Sequence, residues 1–366
     1  MSDVRHLYLH LPFCTSRCGY CAFVVEVGGL ERRDQYVVAL NDELALEIGQ
    51  LANSLDTVYF GGGTPTLMGA HRIAEIMEMI GARVGPATEV SIEANPETVD
   101  RDTFAALRDC GITRVSIGAQ SFQSELLGAL DRQATADQVR SAIADARSAG
   151  IASVSVDLLF GIPGQDAAQL EADLTAVEEL RPDHISWYEL EVKPGSKLAR
   201  DGAAVDDDFT EDAYYAIVER LEAGGYRWYE TANFARPGHE CRHNLAYWGA
   251  ADYLGIGIGA VSTIGGMRWR NAPDFAGYVA AVTTGDRPRR SHEQLDADTR
   301  RRERWMLALR RDEPMSLAWA GPPDHPDEIG HLANLGLLRC EGDTLSLTRQ
   351  GRFVQNAVLG KLMEYV

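Results

Sequence analysis

The sequence predicts an α/β fold: a partial (β/α)6 barrel followed by a smaller α+β region with a winged-helix-like tail. Three observations predict it. Short β-rich runs alternate with stretches of helical period through the first half, every unusual polar or glycine cluster falls just after a strand, and the alternation stops beyond about residue 195. The expected strands are 7–11, 57–60, 89–93, 114–117, 153–160 and 184–190, mostly short apolar runs of the kind a parallel sheet buries on both faces. Between them, 33–51, 73–83, 100–110, 136–149 and 168–180 carry apolar residues three and four apart, the pattern of crossover helices in right-handed β–α units. Barrel enzymes collect functional groups at the C-terminal ends of their strands, so clusters at one rim favour a barrel with its site at that mouth.

A solvated connection at Gly202 and Asp206–Asp208 precedes a helix over 211–224, an aromatic stretch at 226–229, the run His243-Asn244-Leu245-Ala246-Tyr247-Trp248 and a glycine-rich apolar segment at 253–260. From residue 297 the chain is helical and charged, ending in a hairpin over 337–347 and a last helix over 348–363. The expected division is therefore 1–200 as core barrel, 201–296 as a linking region and 297–366 as the tail.

The 366 residues are 45% hydrophobic and 24% charged, an ordinary globular balance. With 54 acidic against 35 basic side chains the net charge is −19, which repels polyanions and argues against nucleic acid as a partner. No run approaches the ~20 apolar residues of a membrane span, and the start lacks a basic and an apolar signal region, so a cytoplasmic protein is expected.

Three of the six cysteines fall on one short loop as Cys14-x-x-x-Cys18-x-x-Cys21, while Cys110, Cys241 and Cys340 are scattered. That spacing lets a single turn wrap a [4Fe–4S] cluster, and three thiolates for four irons leave one iron open to an outside ligand. Structural zinc is the competing reading, and it asks for a fourth Cys or His. His10 stands near but inside the first strand.

The chain resembles the radical S-adenosylmethionine (SAM) superfamily, in the branch of the oxygen-independent coproporphyrinogen III oxidases. The resemblance runs nearly end to end. It rests on Tyr8-Leu9-His10-Leu11-Pro12-Phe13-Cys14, the cysteine triplet with Tyr20, Gly61-Gly62-Gly63-Thr64-Pro65-Thr66, Gly118–Phe122 and Asp157–Gln165. It implies that SAM chelates the open iron and is cleaved on reduction to a 5′-deoxyadenosyl radical. Tyr8 would then lie beside the cluster, Gly63 and Thr64 would offer backbone amides and a hydroxyl to the methionine end, and Glu93 would bind the cofactor's polar groups. Gln120, Arg132 and Asp157 match further polar contacts, and Val261 an apolar wall near adenine.

Plainer readings stand beside these: a turn at 61–66, a water-facing Glu93, and an Arg132 paired with Asp131 or Glu125. Asp157, at an otherwise apolar strand, needs a partner.

Two departures from the oxidase matter. Cys21-Ala22-Phe23 lacks the oxidase's further cysteine, and Cys14 stands close to the start where the oxidase carries an extension. The shorter haem-chaperone members of the branch carry His-Asn-x-x-Tyr-Trp, which residues 243–248 match in full, and share the pattern at Leu347-Thr348-x-x-Gly351 and Asn356-x-Val358. Their usual Asp after the last cysteine is Ala22 here. The resemblance thus implies a protein that binds haem besides SAM and the cluster, delivers it to an acceptor protein, and draws electrons from a flavodoxin-like donor or chemical reductant. His243 is the leading candidate haem ligand, with Cys241 beside it, against a packing role for His243 under Tyr247 and Trp248. The alternative is the oxidase activity itself, with a radical methyltransferase and a cofactor-free module as further readings.

Overall fold

The structure is a computed structural model and describes residues 4–364. Strands β1 (His6–Leu11), β2 (Thr57–Gly62), β3 (Glu89–Ala94), β4 (Arg114–Gln120), β5 (Ser153–Phe160) and β6 (His184–Glu189) lie in the sheet in chain order, and each pairs in parallel with the next. The helices that return the chain are Leu30–Glu47, Ala70–Ile80, Arg101–Asp109, Ala136–Ser148 and Ala167–Leu180. Three of them start where a side chain caps the free amides: Asp100, Thr135 and Asp166 each accept from the backbone three residues on, the last two within capping boxes.

One sequence expectation is corrected here. The strands are not apolar on both faces. Val90, Ile92, Val115, Ile117, Val154, Val156, Ile185 and Trp187 bury in the core, while the alternate residues Ser91, Glu93, Arg114, Ser116, Ser155, Asp157, His184 and Ser186 line a cavity. Period-two side-chain alternation sorts each strand into an apolar outer face and a polar inner one.

The region after residue 201 extends this same sheet. Strand β8 (Asn233–Ala235) adds antiparallel to β6 and β7 (Arg227–Trp228) antiparallel to β8, and β9 (Tyr253–Ile256) adds parallel to β1, followed by β10 (Val261–Ile264), β11 (Met267–Asn271) and β12 (Arg290–Gln294). The result is a 12-stranded sheet. The glycine-rich segment is thus a strand and a tight crossing. A Cβ on Gly255 would meet the Val261 carbonyl oxygen at 2.1 Å, and Gly257, at φ +106°, passes against Tyr36 and His10.

A buried ionic network pins this edge to the first helix. Glu43 accepts from Gly257 N–H (2.8 Å), Tyr278 OH (2.7 Å), Asn271 Nδ2 (2.7 Å) and Arg290 Nη2 (2.9 Å), and Arg290 Nη1 reaches Glu47 at 2.8 Å.

The tail packs round its own core of Trp305, Leu345, Val358 and Leu362. Helix Ala297–Ala308 is followed by β13 (Met315–Ser316), two short helices and the hairpin β14 (Leu338–Glu341) and β15 (Thr344–Leu347), in the order of a winged helix. The expected last helix is broken at Val354 into Arg349–Phe353 and Gln355–Leu362. Arg352 ties the tail to the sheet by donating to the Trp228 carbonyl (2.6 Å) with its guanidinium 3.6 Å from that indole. Among the described residues no helix is long and apolar enough to cross a membrane.

Candidate functional site

Cys14, Cys18 and Cys21 sit on the loop after β1, carry free thiols, and all line one cavity of about 710 Å³. The volume lies in the range of small-molecule sites. The loop is clamped at the start of the triplet and within it: Cys14 N–H donates to the Glu26 carbonyl (3.0 Å) and Gly19 N–H to that of Leu130 (3.0 Å). Arg132 Nη1 lies 3.7 Å from Cys18 Sγ and the Thr64 hydroxyl 3.8 Å from Cys14 Sγ, donors that would support sulfur carrying charge. His10 supplies no fourth ligand, because its Nδ1 bonds the Tyr8 hydroxyl (3.0 Å) and its Nε2 the Val24 carbonyl (2.9 Å). Among the described residues no three Cys, His, Asp or Glu side chains converge on a single-ion site. The donor set, three soft thiols on one short loop at the mouth of a roomy cavity, therefore fits a cluster better than a lone zinc ion.

The loop after β2 lies against the cysteine loop, and it corrects one assigned role. The Gly63 and Thr64 amides are spent on the Leu11 (2.9 Å) and Phe13 (2.8 Å) carbonyls, so they hold two loops together and are not offered to a cofactor. A Cβ at Gly63 would come within 2.6 Å of the Pro12 carbonyl oxygen, which explains the glycine. Both residues still line the cavity, and the Thr64 hydroxyl accepts from Asn95 Nδ2 at 3.0 Å.

Glu93, Gln120, Arg132 and Asp157 meet in the same cavity. Glu93 faces inward, accepting from Tyr59 OH (2.9 Å) and Gly62 N–H (3.0 Å). Arg132 turns from the surface toward the cysteines, with Nη2 on the Gly118 carbonyl (2.6 Å) and Asn95 Oδ1 (3.1 Å), while Asp131 pairs with Lys197. Its Nε is buried without a hydrogen-bond partner among the described residues. Gln120 ends β4 at φ +67°, beside a break in register, a strained backbone of the kind that persists at functional sites. The Ser116 hydroxyl bridges both oxygens of Asp157, at 2.8 and 2.9 Å.

Burial, reinforced by the Asp157 charge, pushes Glu93 up to about 7 from 4.5. Between those values the folded chain holds a proton that the unfolded chain has released, so stability falls as pH rises across that window. Glu93→Gln is expected to flatten this part of the profile of the ligand-free protein, read as urea midpoints from pH 4.5 to 7.5; an unchanged slope would show that Glu93 titrates normally.

Tyr8 and Val261 stay off the cavity wall. Tyr8 stacks on Tyr59 and braces His10, and Val261 pairs across β10 and β11 with Arg270. The motif at 243–248 forms helix Arg242–Trp248 against the opposite, N-terminal end of the strands. His243 Nδ1 bonds the Thr57 hydroxyl (2.8 Å), its ring stacks 5.0 Å from Tyr59, and Nε2 has no hydrogen bond among the described residues. Burial drives its pKa down to about 3, so the ring is neutral. Cys241 points elsewhere: it is buried, lines the cavity, and its thiol lies 3.7 Å from Glu89.

Reading the strands as apolar runs passed over Ser91, Arg114, Ser116, Ser155, His184 and Ser186. The signal was present in the sequence as polar residues two apart in Glu89-Val90-Ser91-Ile92-Glu93 and Arg114-Val115-Ser116.

Residues 8–177 match the Radical SAM superfamily. The chain is 38% identical over 98% of its length, and 94% of the relative's, to "Heme chaperone HemW" of Mycobacterium tuberculosis. It is 30% identical to the protein of that name from Bacillus subtilis, covering 98% of this chain and 99% of that one. Among solved structures, coproporphyrinogen III oxidase (HemN) from Escherichia coli superimposes with a TM-score of 0.87 at 23% identity, covering 100% of this chain and 91% of that chain, which establishes the shared fold. A thiol triplet on the first loop, a polar barrel interior and this full-length likeness place the chain in the radical SAM superfamily, as a member of the HemW family.

Proposed function

We propose that this protein is a haem chaperone: it binds haem, holds a [4Fe–4S] cluster on Cys14, Cys18 and Cys21 with SAM on the open iron, and passes haem to an acceptor protein. What carries the reading is identity over nearly the whole chain to relatives that bear the name heme chaperone. When bound, SAM on a reduced cluster supplies radical chemistry. This chain's residues would hold it: Glu93 and Asp157 take its polar groups, Arg132 and Gln120 flank it, and Thr64 supports the cysteines. Electrons would come from a flavodoxin-like donor in the cytoplasm.

The cofactor work belongs to residues 1–200 and the haem contact to 201–296, with 297–366 as a separate tail. His243 suits haem iron because its Nδ1 is anchored on Thr57, its ring is neutral and its Nε2 is left over. Cys241, facing the cavity, is not part of that site.

The test is anaerobic reconstitution followed by haem titration. Stoichiometric binding that weakens at least tenfold in His243→Ala and is unchanged in Cys241→Ala is expected. Absence of stoichiometric binding overturns the chaperone reading, and conversion of coproporphyrinogen III to a divinyl product under the same conditions replaces it with the oxidase.

A further inference from the structure

Ser91 and Arg114 are direct register partners on β3 and β4, and both face the cavity. They are buried, at 2% and 4% exposure, yet each keeps a polar atom with no hydrogen-bond partner among the described residues: Ser91 Oγ and Arg114 Nη1. The rest of the Arg114 guanidinium is committed, Nε to Glu89 at 3.3 Å and Nη2 to the His239 carbonyl. Neighbouring groups on the inner face are satisfied. His184 uses both ring nitrogens, on Ser155 Oγ (2.8 Å) and Tyr229 OH (2.7 Å), and Ser116 is spent on Asp157. Buried donors left over beside satisfied neighbours are the mark of a ligand position.

Their depth separates them from the cofactor place. Arg114 precedes Gly118 by four residues on β4, about 13 Å along a strand. From the opposite end, Cys241 and Asn244 line the same cavity, and His243 N–H donates to Glu89 (3.2 Å), the carboxylate that holds Arg114. The His-Asn-x-x-Tyr-Trp helix therefore closes the barrel floor.

We propose that this floor is a second binding subsite, deeper than the cysteine loop, that takes the carboxylate of a small organic acid, with Arg114 Nη1 and Ser91 Oγ each donating to it. Adjacent strands stand about 4.8 Å apart, so two donors in register span one carboxylate's two oxygens. A dianion such as phosphate is disfavoured, because Glu89 already offsets Arg114 and Glu93 and Asp157 stand in the same cavity. The subsite stands independently of the haem reading.

The experiment is saturation-transfer NMR titration of the anaerobically reconstituted protein with acetate, with acetamide and phosphate as comparison arms, at constant ionic strength and with and without SAM. Acetate is expected to saturate in both SAM conditions, with at least tenfold weaker binding in Arg114→Gln and about threefold weaker binding in Ser91→Ala. Ser91→Ala keeps the Arg114–Glu89 pair and should melt as the parent does, so it reports the site even if Arg114→Gln folds poorly. No saturation by acetate, equal binding of acetamide or phosphate, or acetate affinity unchanged in Ser91→Ala would each overturn the proposal.

Discussion

Arg290→Ala is expected to cost about 3–5 kcal/mol of unfolding free energy, the range for breaking a buried ion pair on one side. Arg290 is the only cation on Glu43 in the network described above, and it shares Glu47 with Arg287. Removing it leaves two fully buried carboxylates short of charge. Glu43 also takes hydrogen bonds from Gly257, Asn271 and Tyr278, so it cannot swing out to water without abandoning the turn after β9. Glu43→Gln should cost less, because an amide oxygen keeps part of these bonds and no charge is stranded. The consequence reaches the site: Tyr36, packed in the same layer, donates to the His10 carbonyl (2.8 Å) on the strand that leads into the cysteine loop. Urea unfolding followed by tryptophan fluorescence measures the effect. A loss below about 1 kcal/mol for Arg290→Ala would place the network among pairs that solvent can replace.

Serine at Cys14, Cys18 or Cys21 is expected to abolish cluster incorporation, with iron and acid-labile sulfide near zero after anaerobic reconstitution and the thiolate-to-iron absorption lost. Each thiolate would hold one iron, and with three ligands for four irons no spare cysteine stands on the loop to take over. The controls follow from placement. Cys110 donates to the Ala70 carbonyl and Cys340 is exposed on the tail hairpin, so serine at either should leave iron content unchanged. Full iron in Cys18→Ser, or its loss in Cys340→Ser, would remove the triplet from the cluster.

The order of the barrel was legible along the chain because each β–α unit is local. Strands expected at 89–93 and 153–160 appear as Glu89–Ala94 and Ser153–Phe160, and helices start where Asp100, Thr135 and Asp166 provide caps. What was not legible depends on contacts between distant segments. Nothing local in Tyr253–Ile256 says that it pairs with His6–Leu9, more than two hundred residues earlier. The same holds for Gly63 and Thr64, whose amides are consumed by β1 and the loop beyond it. Arg132 was open between a surface pair and the site until Lys197 took Asp131 and Gln169 took Glu125.

By itself, then, the sequence determined that three thiols share one loop, that Glu93, Gln120 and Asp157 end or interrupt successive strands, and that the motif at 243–248 is present. These are facts of spacing, and spacing survives translation into any fold with parallel strands. Only the tertiary structure decided that the inner face of the barrel is polar from mouth to floor, and that the motif seals the end opposite the cysteines. The physical reason is that a parallel sheet turns period two into an inside and an outside only once its helices cover one face. A floor needs a segment from far along the chain to meet Glu89 and Arg114, and no local pattern encodes that meeting.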